Sequence, residues 1–419
     1  MLHEDRTEVL VVGAGPVGLV SALLLSQFGI EVRIIDQEER TASRSYACAL
    51  HPRTLELLNR VGLLADVIKA GHRVDRIGLY EGESRRATIR LSELSGDFPF
   101  ALVLPQSALE NLLEQTLRQK KNIPVHWNQR LSSLRTQGDA VVATIEKLGQ
   151  TAKGYGVPDW EWVVEKTLHT SAGFVVGADG HNSHVRQCLD IEYERVGVRE
   201  SFVVYEFQCD QESANEVSVV LDDTTTNVLW PLPGNKYRWS FQWIHPDELG
   251  ERSKDRMAVQ MVEPPSERDS LHALQTLIQK RAPWFREAIK EVTWFAEVKF
   301  ERRLAKRFGQ DRCWLAGDAA HQTIPVGMQS MNVGLREAEE LACKFTRVLR
   351  DKAPLDSLEA HGRDYRRSWQ VLLGLTGELR VREQASPWVK QRSARIPFCI
   401  PASGDELVSL VNQLGLDFQ

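Results

Sequence analysis

Glycine and aspartate residues near the start of this chain have the spacing of a turn that binds phosphate groups. The motif Gly13-x-Gly15-x-x-Gly18 follows the apolar run VLVV and opens a helical pattern at Pro16. The first glycine permits a tight turn, the second lets the backbone approach a pyrophosphate, and the third allows close packing of helix on strand. Asp36 ends the next strand, where a carboxylate accepts from ribose hydroxyls. The pattern predicts a dinucleotide site; the alternative is a glycine-rich turn without a ligand.

Two later turns place an aspartate at the end of an apolar strand, where open α/β sheets bind ligands. Asp179 and Gly180 lie in the turn GADG, and Gly317 and Asp318 lie in the turn GDAAH. Each turn alone is compatible with a simple strand end, but the three motifs in this order are specific for one dinucleotide that spans the domain. We expect Asp318 to hold a hydroxyl of the sugar chain.

The loop after the third motif carries groups suited to the edge of a flat ring. Gly327 and the backbone amides of Met331 and Asn332 precede a predicted helix. Amides at the start of a helix lack partners within the helix and point toward a ligand. We therefore expect these amides to donate hydrogen bonds to an electron-rich ring edge.

The segments that position these turns alternate between strand and helix patterns over the first 190 residues. Continuous apolar runs indicate buried strands, and apolar residues at helical spacing indicate helices. Predicted strands cover 9–13, 31–36, 139–146, 162–167 and 173–180, and predicted helices cover 16–28, 52–70 and 106–121. Residues 149–159 (GQTAKGYGVPD) are rich in glycine and polar residues and are predicted to be a loop.

Residues 200–245 contain short β-rich segments separated by turn residues, which predict an antiparallel sheet. Helices are predicted at 266–290, 334–350 and 355–377, and a strand-then-turn pattern returns at 312–320. We predict an α/β fold with an inserted antiparallel domain. The nucleotide-binding domain would comprise 1–70, 101–190 and 301–350, the antiparallel domain 71–100 and 191–300, and a C-terminal helical segment 351–419.

Composition narrows the class of protein. The chain has 419 residues and a net charge of −5, so nothing indicates a nucleic-acid partner or an anionic membrane surface. The six cysteines form no Cys-x-x-Cys pair, which argues against a zinc site or a disulfide framework. The N-terminus lacks the features of a signal peptide. We expect a cytoplasmic monomer or homodimer without a metal.

These motifs resemble those of the single-component aromatic-ring hydroxylases, the para-hydroxybenzoate hydroxylase family of flavin monooxygenases. The resemblance runs from about residue 8 to residue 370 and rests on VVGAGPVG, ALHPRTLELLNRVGL (49–63), VLPQSALENLL (103–113), GADGHNSHVR (177–186) and LAGDAAHQTIPVGMQSMNVGLREAEELACKF (315–345). It implies a Rossmann-like FAD-binding domain of the glutathione reductase type, with an inserted substrate-binding sheet and C-terminal helices.

The resemblance also implies a role for each matching residue. The first motif, with Pro16, would bind the ADP part of FAD, and Asp36 would bind the adenosine ribose. Gln106 would lie along the linking chain, Asp179 and Gly180 would serve FAD and the nicotinamide, and Asp318 would bind the ribityl end. Pro325 would lie beside the reactive face, with the Met331 and Asn332 amides at the pyrimidine edge. The family's arginine before the ALHPR stretch is Tyr46 here, and Arg44, two residues earlier, would help to hold cofactor phosphates or nicotinamide. Arg238 would reach toward the flavin.

The implied activity consists of two half-reactions. NADH or NADPH would reduce the flavin, and reduced flavin would trap O₂ as a hydroperoxide that delivers one oxygen atom to a small-molecule substrate. No second Gly-x-Gly-x-x-Gly follows a strand, so the nicotinamide cofactor is expected to bind transiently in the groove between domains. Two alternatives stay open: a flavin dehydrogenase or reductase on the same fold, and a flavoprotein that binds FAD and a ligand without turnover.

Two positions have specific expectations. In the segment YRWSFQW (237–243), Arg238 alternates with aromatic residues, so either it faces the substrate pocket or it faces solvent on a half-exposed sheet. Met328-Gln329-Ser330 replaces the family's glycine-glutamine-glycine, and side chains restrict the backbone largely to negative φ. We expect a relaxed turn here, with the flavin edge further out or more mobile and the Met331 and Asn332 amides still donating to it. The alternative is that Met328 and Ser330 both fit negative φ without penalty. Arg336 and Glu337 also depart from the family pattern.

Overall fold

The computed structural model describes residues 5–41, 49–153, 159–210, 213–243, 267–377 and 379–418. The helices are α1 (Pro16–Gln27), α2 (Pro52–Arg60), α3 (Leu64–Ala70), α4 (Gln106–Lys120), α5 (His184–Cys188), α6 (Glu267–Arg281), α7 (Gln329–Asp351), α8 (Asp356–Leu372), α9 (Pro387–Arg392) and α10 (Asp405–Asn412). The strands are β1 (Asp5–Val12), β2 (Val32–Ile35), β3 (Ala49–Leu50), β4 (His72–Val74), β5 (Arg76–Glu81), β6 (Ser84–Arg90), β7 (Ala101–Val103), β8 (Val125–His126), β9 (Gln129–Gln137), β10 (Ala140–Lys153), β11 (Asp159–Gly177), β12 (Tyr193–Arg195), β13 (Glu200–Cys209), β14 (Glu216–Leu221), β15 (Thr226–Leu232), β16 (Lys236–Trp243), β17 (Ile289–Phe300), β18 (Arg303–Ala305), β19 (Gly309–Gln310), β20 (Cys313–Leu315), β21 (His321–Gln322), β22 (Leu379–Val381) and β23 (Leu416–Phe418).

A parallel sheet forms the centre of the first layer. Its strands run in the order β20-β11-β1-β2-β8, with β19 pairing antiparallel to β20, and with β10 and β9 continuing antiparallel from β11. Strand β1 is buried on both faces: Val9 and Val11 pack with α1, α4 and α7, whereas Leu10 and Val12 pack toward β10 and α8. This double burial explains the continuous apolar run and confirms the predicted α/β class with a parallel sheet.

Helix α1 returns the chain from β1 to β2. It begins at Pro16, whose fixed φ suits the first turn of a helix, and every residue from Pro16 to Leu25 is buried. Gly29 follows the helix with a φ of +72°, a left-handed conformation that ends helices and that glycine adopts readily.

The second large sheet has seven strands in the order β17-β13-β16-β15-β14-β5-β6. Its pairs are antiparallel except β14 with β5, which is parallel. One face packs against the C-terminal segment (residues 379–418) and Ile324–Met328. The other face packs against α6 through an aromatic cluster formed by Tyr80, Tyr205, Phe207, Tyr237, Trp239 and Phe241. The sheet therefore lies between α6 and the C-terminal segment.

The predicted loop at 149–159 was wrong in its first part. Strand β10 continues to Lys153 because its residues keep pairing with β11, from Gly149 opposite Val163 to Lys153 opposite Asp159. The separate strands predicted at 162–167 and 173–180 are one strand, β11. Cross-strand hydrogen bonds hold polar residues in a strand when a partner strand is present, and local composition does not report that partner.

Helix boundaries also differ from the predictions. Helix α6 ends at Arg281 and β17 begins at Ile289, because Pro283 disfavours helical geometry at the residue before it. The region predicted as one helix at 52–70 is two helices, α2 and α3, separated by Gly62 with a φ of +75°. Helix α7 begins at Gln329, five residues before the predicted start. In the described part of the chain, no helix is long and apolar enough to cross a bilayer.

Candidate functional site

A cleft of about 580 Å³ opens at the carboxyl ends of the parallel strands. Gly13, Asp36, Ala178 and Ala316 directly follow β1, β2, β11 and β20, and all four line the cleft. Parallel strands present their carboxyl ends at one edge, which is where such sheets bind ligands. The sequence-predicted residues that line it are Gly13, Gly15, Pro16, Asp36, Gln106, Asp179, Gly180, Asp318, Pro325 and Met331.

The glycine turn after β1 leaves no room for side chains at two of its three positions. A Cβ on Gly13 would lie 2.2 Å from the carbonyl oxygen of Ala178, and a Cβ on Gly18 would lie 1.9 Å from that of Gly13. A Cβ on Gly15 would meet no protein atom within 4 Å, because this residue faces the open cleft. Gly15 also precedes α1, so the first amides of α1 have no side-chain cap and can bind a phosphate.

The wall near β2 carries carboxylates. Asp36 accepts from the amides of Ala14 at 2.6 Å and Glu38 at 2.8 Å, which ties the glycine turn to the end of β2. On α4, Gln106 donates to Glu110 at 2.6 Å, and both residues line the cleft. Glu110 was missed by the sequence analysis, although its position four residues after Gln106 places it on the same face of α4.

The GADG turn forms part of the cleft wall, with Ala178, Asp179 and Gly180 half-buried. Asp179 Oδ2 accepts from the Val185 amide at 3.1 Å, and Gly180 adopts a φ of +74°. Burial raises the pKa of Asp179. Ser183 caps α5 by accepting from the Arg186 amide, and the Arg186 side chain donates to the carbonyl of Ala319 at 2.8 Å. Arg186 thereby links this turn to the GDAAH turn.

The GDAAH turn is held from behind by a buried carboxylate. Glu337 is 0% exposed and accepts from the Gly317 amide at 3.0 Å, His321 Nε2 at 2.7 Å and Trp369 Nε1 at 3.0 Å. Asp318 Oδ1 accepts from the Ser330 hydroxyl at 2.7 Å. In the sequence, Glu337 is only a departure from the family pattern, because its partners lie 16 to 32 residues away along the chain.

The turn that links Pro325 to α7 contradicts the expected relaxation. Met328 has a φ of +52° and a ψ of +33°, so it keeps a left-handed conformation that glycine would adopt more easily. Its side chain is 5% exposed, and the other replaced glycine, Ser330, uses its hydroxyl to bind Asp318. Packing and this hydrogen bond hold the turn, so the expectation of a relaxed turn was wrong.

Asn332 and His51 hold the same turn from its other side. The Asn332 side chain donates to the carbonyls of Ala49 and Met328, and accepts from the His51 amide and the Thr54 hydroxyl, each at 2.7–2.9 Å. His51 Nε2 lies 3.0 Å from the carbonyl oxygen of Gly327 and donates to it. Burial lowers the pKa of His51 to about 3, so the ring stays neutral.

Several predicted residues do not line the cleft. Gly18, Gly317, Gly327 and the Asn332 side chain support it from behind, and Arg44 lies outside the described residues. A Cβ on Gly317 would lie 2.9 Å from Val17 Cγ2, which accounts for glycine there.

Arg238 is also absent from the cleft lining. It is 3% exposed, pairs with Glu206 and lies 5.8 Å from the ring centroid of Trp294. The solvent-facing alternative for Arg238 was therefore wrong. The intervening aromatic residues Tyr237, Trp239 and Phe241 pack in the aromatic cluster against α6, as expected for the opposite face of the strand.

Buried polar atoms along the cleft indicate what it can hold. Asp179 Oδ1, Gln322 Oε1 and Thr323 Oγ1 are buried without a hydrogen-bond partner in the described structure, and all three residues line the cleft. Buried polar groups are normally paired, so these atoms fit a ligand rich in hydroxyl and amide groups. With open space at Gly15 and carboxylates suited to sugar hydroxyls, the residues fit FAD.

The fold and this cleft define a dinucleotide-binding α/β protein. A family model described as "FAD binding domain" matches residues 6–373, and the chain belongs to that family. This match confirms both the family resemblance predicted from the sequence and FAD as the cofactor.

The relatives include monooxygenases of pentachlorophenol and of para-nitrophenol. Pentachlorophenol 4-monooxygenase of Sphingobium chlorophenolicum is 26% identical over 360 residues, which cover 84% of this chain and 60% of that protein. Para-nitrophenol 4-monooxygenase of Pseudomonas sp. (strain WBC-3) is 28% identical over 371 residues, which cover 87% of this chain and 84% of that protein. The chain thus spans about three fifths of the length of the first of these relatives.

Solved structures share the fold. The crystal structure of p-nitrophenol 4-monooxygenase from Pseudomonas putida DLL-E4 has a TM-score of 0.72 at 22% identity and covers 98% of this chain and 97% of that one. Aklavinone-11 hydroxylase, in a complex with FAD and aklavinone, has a TM-score of 0.66 at 23% identity, and the match covers 89% of this chain and 68% of that one. At these identities the similarity establishes the architecture.

Proposed function

We propose that this chain is an NAD(P)H- and O₂-dependent flavin monooxygenase that inserts one oxygen atom into a small aromatic or secondary-metabolite substrate. The observation that carries the proposal is the course of the cleft, which extends from the glycine turn to Pro325 and the edge strand β17. Val298 and Phe300 of β17 line this end and belong to the apolar face of the seven-stranded sheet. An apolar wall at the reactive end would exclude water and receive an apolar ring.

FAD, when bound, supplies hydride acceptance and oxygen activation, and the protein supplies binding, orientation and exclusion of water. We propose that Gly13, Gly15, Pro16 and the start of α1 hold the pyrophosphate. Asp36 and Asp318 would accept from sugar hydroxyls at the two ends of the cofactor. The remaining contacts would come from Gln106, Asp179, Gly180, Pro325 and the amide of Met331. The Asn332 amide is left out, because Asn332 does not line the cleft and lies four residues after the Met328 cap of α7. Arg238 is not part of this proposal, because it lies outside the cleft lining and is paired with Glu206.

The proposal includes the domain organisation. A nucleotide-binding domain of the glutathione reductase type would comprise 1–70, 101–190 and 301–350, and the substrate-binding sheet, in 71–100 and 191–300, would be an insertion. Residues 351–419 would form a C-terminal helical segment that also contains the short strands β22 and β23. The sequence has one Gly-x-Gly-x-x-Gly motif after a strand, so NADH or NADPH would bind transiently between the two domains. We further propose a cytoplasmic monomer or homodimer.

The cofactor assignment is tested by releasing and identifying the flavin, with Asp318→Asn as the variant. Denatured protein should release FAD, and Asp318→Asn should weaken FAD binding by about ten-fold or more, since a charge-assisted bond contributes about 1.5–3 kcal/mol. Asp311→Asn is the matched control, because Asp311 precedes β20 at the end away from the cleft. Release of FMN, or equal FAD affinity in both variants, would contradict the assignment.

The activity is tested by screening aromatic compounds for stimulated NAD(P)H consumption, with products analysed by mass after reaction under ¹⁸O₂. A monooxygenase should transfer one labelled atom into product for each NAD(P)H consumed in the coupled reaction. Substrate oxidation without label would indicate a dehydrogenase or reductase. Tight ligand binding with no turnover would indicate a flavoprotein that only binds, and either outcome would overturn the proposal.

A further inference from the structure

Gln329, the first residue of α7, is joined to the C-terminal segment. Its side chain is 1% exposed, and Nε2 donates toward the carbonyl oxygens of Pro397, Ile400 and Ala402 at 3.2, 3.5 and 3.4 Å. The backbones are also in direct contact, since a Cβ on Gly327 would lie 2.6 Å from the carbonyl oxygen of Phe398. The C-terminal segment therefore packs directly behind the Gly327–Asn332 turn.

The opposite side of the same turn faces the cleft. Met328, Gln329, Ser330 and Met331 all line it, together with Pro325. The turn includes the left-handed Met328, a conformation that costs about 1–3 kcal/mol for a residue other than glycine and persists only where its surroundings enforce it. One short stretch of backbone thus separates the cofactor cleft from the C-terminal segment.

The C-terminal segment is fixed independently to the seven-stranded sheet. Arg395 donates to the carbonyl oxygens of Asp222 and Thr225 and to the Thr226 hydroxyl at the end of the sheet. The apolar residues around it are buried, and Ile396, Cys399 and Ile400 are each 0% exposed. A change in the docking of this segment would therefore reach the turn through Gln329 and Gly327.

We propose that Gln329 is a positioning residue that couples docking of the C-terminal segment to FAD binding. The segment acts as the back wall of the turn, and the three carbonyl groups keep Gln329, and with it Met328 and Ser330, in the arrangement that faces the cofactor. Coupling between two sites is reciprocal, so bound FAD also strengthens docking of the segment by the same factor. The inference rests on the cofactor assignment and not on the proposed oxygen chemistry.

Cys399 makes the coupling measurable without any assay of activity. Its thiol is buried in the docked segment, whereas Cys343 is exposed on α7 and Cys313 is buried in β20. In FAD-free protein, a thiol reagent should label Cys399 faster than Cys313 through local opening of the segment. Saturating FAD should slow labelling of Cys399 about ten-fold or more, with Cys343 unchanged, when each site is followed by peptide mass spectrometry.

The variant Gln329→Met removes the donor and keeps a similar volume. We expect it to weaken FAD binding about 5- to 30-fold, within the usual range of coupling between sites, and to reduce FAD protection of Cys399 to less than about two-fold. Gln119→Met is the matched control, since Gln119 is exposed on α4, and it should behave as wild type. Arg395→Met should also weaken FAD binding, although Arg395 does not line the cleft.

Two results would overturn the coupling while leaving the cofactor assignment intact. In one, wild-type protein binds FAD, yet Cys399 labels at the same rate with and without it, or Cys399 and Cys313 are protected equally, as in global unfolding. In the other, Gln329→Met retains wild-type FAD affinity and protection. The wild-type labelling experiment decides the question even if both variants fail to fold. Failure of wild-type protein to bind FAD would instead overturn the cofactor assignment.

Discussion

The buried carboxylate of Glu337 offers a quantitative test of how the GDAAH turn is held. Gly317 and His321 both donate to Oε2, whereas Trp369 Nε1 donates to Oε1. In Glu337→Gln, the amide oxygen is expected to stay with the two donors at the Oε2 position. The new amide NH₂ then faces the indole N–H of Trp369, so two donors oppose each other.

The cost follows from this geometry. An unpaired buried donor costs about 1–3 kcal/mol. Removing the negative charge weakens the hydrogen bonds from Gly317 and His321, which lowers stability. It also removes the free-energy cost of burying a charge, which raises stability, so these two effects oppose each other. The Trp369 N–H therefore dominates, and we expect Glu337→Gln to lower the free energy of unfolding by about 1–3 kcal/mol. Trp369→Phe removes the indole N–H that would face the amide introduced at position 337. It keeps an aromatic ring against His321, whose ring centroid lies 3.8 Å from that of Trp369 in the wild type.

A double-mutant cycle tests this account. The free energy of unfolding in urea is measured for the FAD-free wild type, Glu337→Gln, Trp369→Phe and the double variant. In the Trp369→Phe background, Glu337→Gln should cost about 1–3 kcal/mol less than it does in wild type. Glu340→Gln is a control on the same helix, because the Glu340 side chain is 50% exposed and accepts from the Tyr365 hydroxyl. An equal cost of Glu337→Gln in both backgrounds would refute this account of the buried carboxylate.

Three further predictions concern unfolding free energies. Burial raises the pKa of Glu406 to about 7. Between pH 4.5 and 7 the folded protein therefore keeps a proton that the unfolded protein has lost, so the free energy of unfolding falls by about 1.4 kcal/mol per pH unit as pH rises. Glu406→Gln should abolish this fall. Burial lowers the pKa of His51 from 6.5 to about 3, so its contribution is full above pH 6.5 and is lost as pH falls toward 3; His51→Gln should abolish that loss. Between pH 4.5 and 6.5 the two groups change the free energy of unfolding in opposite directions. Urea unfolding of each variant at a series of pH values should therefore show the dependence due to the other group alone. If neither variant shows a pH dependence, both pKa shifts are contradicted. Met328→Gly relieves a left-handed residue, worth about 1–3 kcal/mol, but deletes a buried side chain worth about 2–5 kcal/mol. We therefore expect a net loss of up to about 4 kcal/mol; a more stable variant would show that backbone conformation outweighs packing.

Much of the cleft could be predicted because its parts are local in sequence. Gly13, Asp36 and Asp179 each lie within a residue or two of a strand end, and the carboxyl ends of parallel strands meet at one edge. Apolar runs revealed the strands, and glycine spacing revealed the turns. Ten of the predicted residues line the cleft, and most of them lie in turns that follow parallel strands.

Residues whose role depends on distant partners could not be predicted in the same way. Glu337 gains its donors from the GDAAH turn and from α8, and Asn332 joins β3 to the start of α7. The C-terminal segment has no motif, yet it packs behind the turn that faces the cofactor. Composition also failed at Gly149–Lys153, where pairing with β11 made a strand of residues with loop character.

The sequence by itself determined the class of protein, the order of its motifs and the cofactor, because glycine turns at strand ends are specified by neighbouring residues. Only the tertiary structure decided that Met328 remains left-handed, that Arg238 lies away from the cleft lining, and that Gln329 contacts the C-terminal segment. Each of these outcomes depends on burial and on partners tens or hundreds of residues away. Local propensities do not include the free energy of such contacts, which can exceed the local cost of a strained residue.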